Sequence, residues 1–450
     1  MAAVPVEKQL TFASHGHILT NVGVWSSDSQ WIIYDLRSDA AGEKFDGCRI
    51  ERVHVERFRV ERLFESTHGA CCGVATANPV GDEVVFIHGP DRPTPDWQYA
   101  AHHRRGAVIH SDQPRQAETV DARDLTPPFT PGALRGGTHV HTYSGDGQWI
   151  AFTYEDHVLA TAERTSSDPS GSGNDTTALP IELNQRNVGV SVPAGPVVVP
   201  RTHPRNHDGS HFSVLVTETT DAPEPGSDEI SRAFSDAWIG QQGYQREDGT
   251  WQKRAIAFQG HVVTPAGETI SEVFVVDIPD DVTQPGPAGP LAGTETQRPR
   301  PPLGTVQRRL TFTANRAHPG LQGPRHWLRS SPDGSQIAFL MKDDAGIVQL
   351  WTISPNGGEP RQVTHSDHDI ASAFTWSPDG TFIAHVMDGC VCRSQVTTGK
   401  TTRLTQPGND SHVPRPEACV VSPDGEWIAF VRRLKDERGE FNQLFVVATR

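Results

Sequence analysis

Three copies of one phrase limit what this chain can fold into. Ser331-Pro332-Asp333-Gly334, Ser377-Pro378-Asp379-Gly380 and Ser422-Pro423-Asp424-Gly425 each precede an alternating run: Ile337-Ala338-Phe339, Ile383-Ala384-His385 and Ile428-Ala429-Phe430. The aspartates lie 46 and then 45 residues apart. Pro and Asp set the first half of a tight turn, Gly accepts the positive φ, and the apolar run leads out as the next strand. A repeat of that length built from short strands marks the blade of a β-propeller.

A length of 450 residues would suggest two or three domains. The repeat overrides that prior, because stacked blades share one core around an axis. A single all-β domain over 1–450 is expected, with insertions at about 157–200, 219–255 and 279–308. Forty-one Gly and 35 Pro fit many turns better than long helices. No apolar run is long enough for a membrane span. The net charge of −15 argues against nucleic acid as a partner. Met1 to Lys8 holds no apolar core of a secretory signal, and the six cysteines include no Cys-x-x-Cys, so free thiols in the cytoplasm are expected.

The segment Gln9-Leu10-Thr11-Phe12 resembles Arg309-Leu310-Thr311-Phe312 and Arg403-Leu404-Thr405, which read as outer strands of blades. The chain ends on Gln443-Leu444-Phe445-Val446-Val447, a third strand with no fourth after it. The N-terminal segment is therefore expected to complete the last blade and close the ring, removing an exposed edge. Seven blades result, the fourth with its inner strand at His211–Val216; a different split of blade four would give six or eight. The spacing of Ser227, Ile230 and Phe234 predicts a short helix near Ser227–Trp238. Thr165–Thr177 reads as a loop, and Asp280–Gly304 as an extended linker across the outer rim.

The 21 histidines are the next signal. On this blade division, each of the seven loops entering an inner strand carries one: His15 and His17; His68; His139 and His141; His203, His207 and His211; His318 and His326; His365 and His368; His412. In an up-and-down blade these loops share a face with the loops between strands two and three. That predicts a histidine-rich rim at one mouth of the channel. Neutral imidazole is the commonest ligand for divalent transition metals, so the rim suits either a metal or acid–base chemistry. Solvated or backbone-satisfied histidines are the plainer alternative. His139 and His141, two apart on a strand, should share a face. No nucleophile elbow, Walker loop or dinucleotide fingerprint is present. Trp25, Trp31, Trp149, Trp327, Trp376 and Trp427 fall at repeat positions and read as core. Trp97 and Trp238 fall in loops and are candidates to stack on a sugar.

Several phrases resemble a known family. Ala101-His102-His103-Arg104-Arg105-Gly106, Phe129 to Gly137 followed by His139-Val140-His141, Pro225 to Ile230, and Arg325-His326-Trp327 are similar to the YidR-like proteins of unknown function. More loosely, the Leu-Thr and Ser-Pro-Asp-Gly blades resemble the TolB-like propellers, which include oligogalacturonate lyases. Those lyases hold a manganese ion with histidines and a glutamine at the axis. Their ligand motif has no residue-by-residue counterpart here.

The resemblance implies a carbohydrate-active lyase or hydrolase acting on a small or oligosaccharide ligand, assisted by a divalent metal (Mn, Zn or Fe). His103, Arg104, Arg135 and His141 are the expected catalytic residues. Arg105, Trp97, Glu229, Arg232 and Arg325 are expected to bind substrate, and His139, His141, His211 and His326 to hold the metal. The alternative is a non-catalytic scaffold that binds a protein or small ligand at the same mouth.

Overall fold

The computed structural model describes residues 6–39, 42, 44–113, 116–166, 181–408 and 412–450. Most of the expected loop at 165–177 lies outside these residues.

The described residues form seven four-stranded antiparallel sheets, arranged as a β-propeller, with two short two-stranded pairs besides. In blades five, six and seven the repeated phrase builds the turn from strand one to strand two. In blade five the Ser331 hydroxyl donates to Asp333 at 2.6 Å and accepts from the Gln336 amide at 3.0 Å. Asp333 also accepts from the Ser335 amide, and Gly334 sits at φ +76°, where a side chain would be strained. The same serine–aspartate bond recurs at Ser377–Asp379 and Ser422–Asp424. It also recurs at Ser144–Asp146 in blade three and Ser26–Asp28 in blade one.

Ring closure is as expected. Lys8 and Gln9 pair antiparallel with Val446 and Phe445 as the outer strand of the last sheet. Leu10 is buried in the core between blades seven and one, and Arg432 grips Glu7 at 2.8 Å.

Blade four differs from its expected division. Phe212–Leu215 is the outer strand of blade three, pairing with Asn187–Val192. Blade four begins at Ala233–Trp238, followed by Ala255–Val263, Thr269–Asp277 and Val306–Arg309. The helix expected near Ser227–Trp238 is instead a Ser227 turn and then this strand, because pairing with Ala255–Val263 outweighs a weak local preference. The loop entering blade four, residues 216–232, therefore carries no histidine. His203, His207 and His211 belong to the segment joining strands three and four of blade three. That segment runs along the outer edge of blade two, bridging Asp121 to His211 and Arg123 to His207.

The linker at 280–304 is fastened by buried arginines. Arg135 donates to the carbonyls of Thr294 and Gln297, and Arg298 to that of Thr219. One α-helix is present among the described residues, His157–Ser166, besides a single 3-10 turn at Ala101–His103, and no helix is long and apolar enough to cross a membrane. All six cysteines are free.

Truncating Leu10 to Ala tests the closure. The expected cost is about 2–5 kcal/mol, read as a fall in the urea midpoint with an unchanged m-value.

Candidate functional site

The inner strands of blades two, three and four share one irregularity. Each has a bulge: between Gly73 and Thr76, between His139 and Thr142, and between Phe234 and Ala237. Val74, Val140 and Ser235 sit in these bulges at φ 56°, 55° and 55°. Non-glycine residues rarely adopt this conformation, and bulges re-aim side chains. Here all three residues line a cavity of about 1060 Å³ at the hub.

Five arginines face that cavity: Arg37, Arg104, Arg186, Arg232 and Arg325. Arg37 is paired with Asp35 at 2.8 Å, and Arg186 with Glu155. Arg104, Arg232 and Arg325 have no carboxylate partner among the described residues. Instead each lies over an aromatic ring that also lines the cavity. Arg104 is 5.3 Å from the Tyr99 ring, Arg232 5.2 Å from Phe234, and Arg325 4.6 Å from Trp327. A ring face attracts a guanidinium but leaves its N–H groups free to bind something else. Burial holds the guanidinium pKa of Arg104, Arg232 and Arg325 below the usual value, and repulsion from the other arginines adds to this. Glu417 is the one acidic lining residue among those described, and it is paired with Arg415.

Two histidines also face the cavity, His139 and His261. The His139 ring lies against the Thr153 hydroxyl at 2.7 Å. Burial and then the Arg104 charge push its pKa well below the usual value, and burial and Arg232 lower that of His261. Both are neutral imidazoles at pH 7.

A chain of polar groups lies under the hub. Arg329 of blade five donates to the side-chain oxygen of Asn21 in blade one. Asp236 is buried beside it, with both carboxylate oxygens lacking a hydrogen-bond partner among the described residues. Burial raises its pKa to about 7 against the partial offset of Arg329.

The expected site residues divide among three places. Arg104, His139, Arg232 and Arg325 meet at the hub. Trp97 and Arg105 line a second cavity of about 680 Å³, with Arg123, His203 and Arg205; Arg105 is paired there with Asp91 at 2.6 Å. Trp97 is buried and stacked on His103 at 3.7 Å, so its face is not open to a sugar.

The rest are structural or remote. Arg135 is sealed inside, paired with Asp156 at 2.8 Å and 1% exposed, and cannot reach a substrate. His141 does not share a face with His139, because the bulge rotates it inward onto Thr138 at 3.0 Å. His326 is buried, with Pro324 O 2.9 Å from Nδ1 and the Leu340 amide donating to Nε2. His211 contacts Ser210 on the outer edge, and Glu229 is exposed, holding the Glu224 amide. His139, His141, His211 and His326 thus do not form a metal centre. The imidazoles that converge are those of His102, His103 and His157, whose ligand atoms all lie within 4.8 Å of one another.

Sequence reading missed Arg37 and His261, which lie in the second strands of blades one and four, and Arg186, which immediately precedes the third strand of blade three. It placed Trp327 in the core, whereas that ring lines the hub under Arg325.

The fold and hub together define a closed seven-bladed β-propeller with an arginine-lined axial cavity. The chain belongs to the YidR family: it is 45% identical over 427 residues to the uncharacterized protein YidR of Escherichia coli (strain K12), covering 94% of each chain. Residues 71–207 match a family described as a protein of unknown function (DUF3748). Among solved structures, an oligogalacturonate lyase in complex with manganese superposes with TM-score 0.54 at 11% identity, covering 99% of this chain and 94% of that one. A putative TolB from Agrobacterium tumefaciens superposes with TM-score 0.37 at 14% identity, covering 89% and 98%. At 11% identity the likeness to the lyase is one of fold.

Two variants test this division. Asp156→Ala should cost about 3–5 kcal/mol in urea unfolding, because it strands the buried Arg135 charge. Asp236 has a folded pKa of about 7, above about 3.9 for an unfolded carboxyl. Between those values the folded state binds more protons, so Asp236 loses stability as pH rises through the window. Asp236→Asn should therefore gain stability relative to the parent between about pH 4 and pH 7, measured by melting temperature across pH.

Proposed function

We propose that the hub cavity binds a carboxylated small molecule or short acidic oligosaccharide and performs lyase-type chemistry on it. The observation that carries this reading is the set of three arginines, Arg104, Arg232 and Arg325, each seated on a ring and lacking a carboxylate of its own. Three like charges without a paired carboxylate, brought into one partly buried space, are costly without an anion. A bound carboxylate relieves that repulsion and accepts the free N–H groups bidentately. Phe234 and Trp327 line the cavity beside them and add apolar surface for a sugar ring, whereas the Tyr99 ring is already stacked on Phe45.

The chemistry follows from the neighbours. An arginine on a uronate carboxylate withdraws charge and acidifies the adjacent C–H. A neutral imidazole, His139 or His261, takes that proton as general base. The C–O bond at the β carbon then breaks, the leaving oxygen takes a proton from solvent, and the product carries a C=C bond conjugated to the carboxylate. A divalent ion at the axis does not fit this donor set: guanidinium groups repel a cation, and His139 and His261 have no carboxylate ligand beside them.

Short oligogalacturonates and glucuronides should bind with an affinity that falls as salt rises, and turnover should appear as the absorbance of the unsaturated product. Arg104→Gln or Arg232→Gln should weaken binding by at least about tenfold, the loss of one charge-assisted hydrogen bond. Flat calorimetry together with a flat absorbance trace across these ligands would return the cavity to the scaffold reading.

A further inference from the structure

We infer that His102, His103 and His157 form a binding site for a zinc-class divalent cation, outside the arginine cavity. The three rings come from two separate places. His102 and His103 end the short turn Ala101–His103, and His157 opens the helix His157–Ser166. Their potential ligand atoms all lie within 4.8 Å of one another, and His103 Nε2 is 3.1 Å from His157 Nδ1. In a tetrahedral zinc site with Zn–N near 2.0–2.1 Å, donor atoms sit about 3.3 Å apart. One edge of such a site is already formed, and the third ring needs only a small movement.

The surroundings hold the rings for this role. His103 Nδ1 lies 2.7 Å from the carbonyl of Gln98. A proton on Nδ1 donates there, leaving the Nε2 lone pair facing His157, which is how metal-binding histidines are usually oriented. The helix start is itself fixed: the His157 amide donates to Arg135 O, and Asp156 accepts from the Leu159 amide. Trp97 stacks on His103 and lies 4.6 Å from His157, covering one side of the group. The donor set is all imidazole. That favours zinc and its borderline neighbours over magnesium, calcium or manganese, which prefer oxygen. Arg123 is an opposing charge beside the group, donating to the carbonyls of His103 and Arg104, and the Asp121 carboxylate offsets it.

Occupancy has a structural consequence. An ion here would tie the helix to the loop that carries Tyr99 and Arg104 to the hub. The site stands on its own geometry and does not depend on lyase chemistry in the cavity.

The test uses the full chain without a histidine tag, stripped with a chelator and titrated with zinc(II) by calorimetry and metal analysis. One equivalent is expected, and cobalt(II) in its place should give the visible spectrum of imidazole coordination. His103→Gln and His157→Gln should each weaken zinc binding by more than about 100-fold, beyond what changes outside the ligand shell produce. His110→Gln, in the exposed Asp82–Glu83–His110 group, should leave it unchanged. Apo melting temperatures check that the variants fold, and the parent cobalt spectrum decides the matter if they do not. Absence of stoichiometric binding by the parent overturns the proposal, as does zinc binding that survives both histidine changes or is lost in His110→Gln. Carboxylate binding by the stripped protein is measured separately, so failure here is distinct from failure of the cavity reading.

Discussion

Everything in this molecule depends on the ring being closed. Each blade buries its two faces only against its neighbours, so an open array would expose an edge and an apolar face at either end. The closure is made by few residues. Lys8 and Gln9 supply the ladder, Leu10 the buried side chain, and Glu7 with Arg432 an ion pair. With the last blade composed of both chain ends, the seven inner strands are forced around one axis. The hub cavity is the space they cannot fill.

That forced convergence explains how an acidic chain builds a basic cavity. The net charge is −15, yet the hub collects five arginines against one paired glutamate. Ring faces carry part of the cost, since Arg104, Arg232 and Arg325 each lean on an aromatic neighbour. The bulges at Val74, Val140 and Ser235 carry another part, turning backbone that would otherwise be regular toward the axis. Strain and like charge thus accumulate at the same place. Natural folds tolerate this combination where binding compensates for it.

Much of the histidine pattern turned out to be architectural. His17 lies 2.8 Å from the carbonyl of Asn442, His385 sits against Ser394, and His326 is enclosed by Pro324 and Leu340. Imidazole is a compact group that satisfies backbone and hydroxyl partners inside crowded inter-blade seams. Counting histidines per loop therefore overstated their number at the axis. Two of the five hub arginines, Arg37 at the end of a second strand and Arg186 just before a third, stood in no such pattern.

The local sequence determined the blade, its turn and its count. The Ser-Pro-Asp-Gly turn is closed by bonds within six residues, from the Ser331 hydroxyl to the Gln336 amide, so it is legible without any partner. The terminal closure was legible too, because a missing outer strand and a spare one share the same short pattern. Blade four was misread, since Ala233–Trp238 is a strand only through its pairing with Ala255–Val263. The site was legible in part: Arg104, Arg325 and His139 stood in quotable phrases and Arg232 just beyond one, while Arg37, Arg186 and His261 did not. Which of them meet, and that Arg135 is buried while Arg104 is free, was decided by tertiary structure alone. Convergence on an axis depends on blade register and on bulges that a single strand's sequence does not encode.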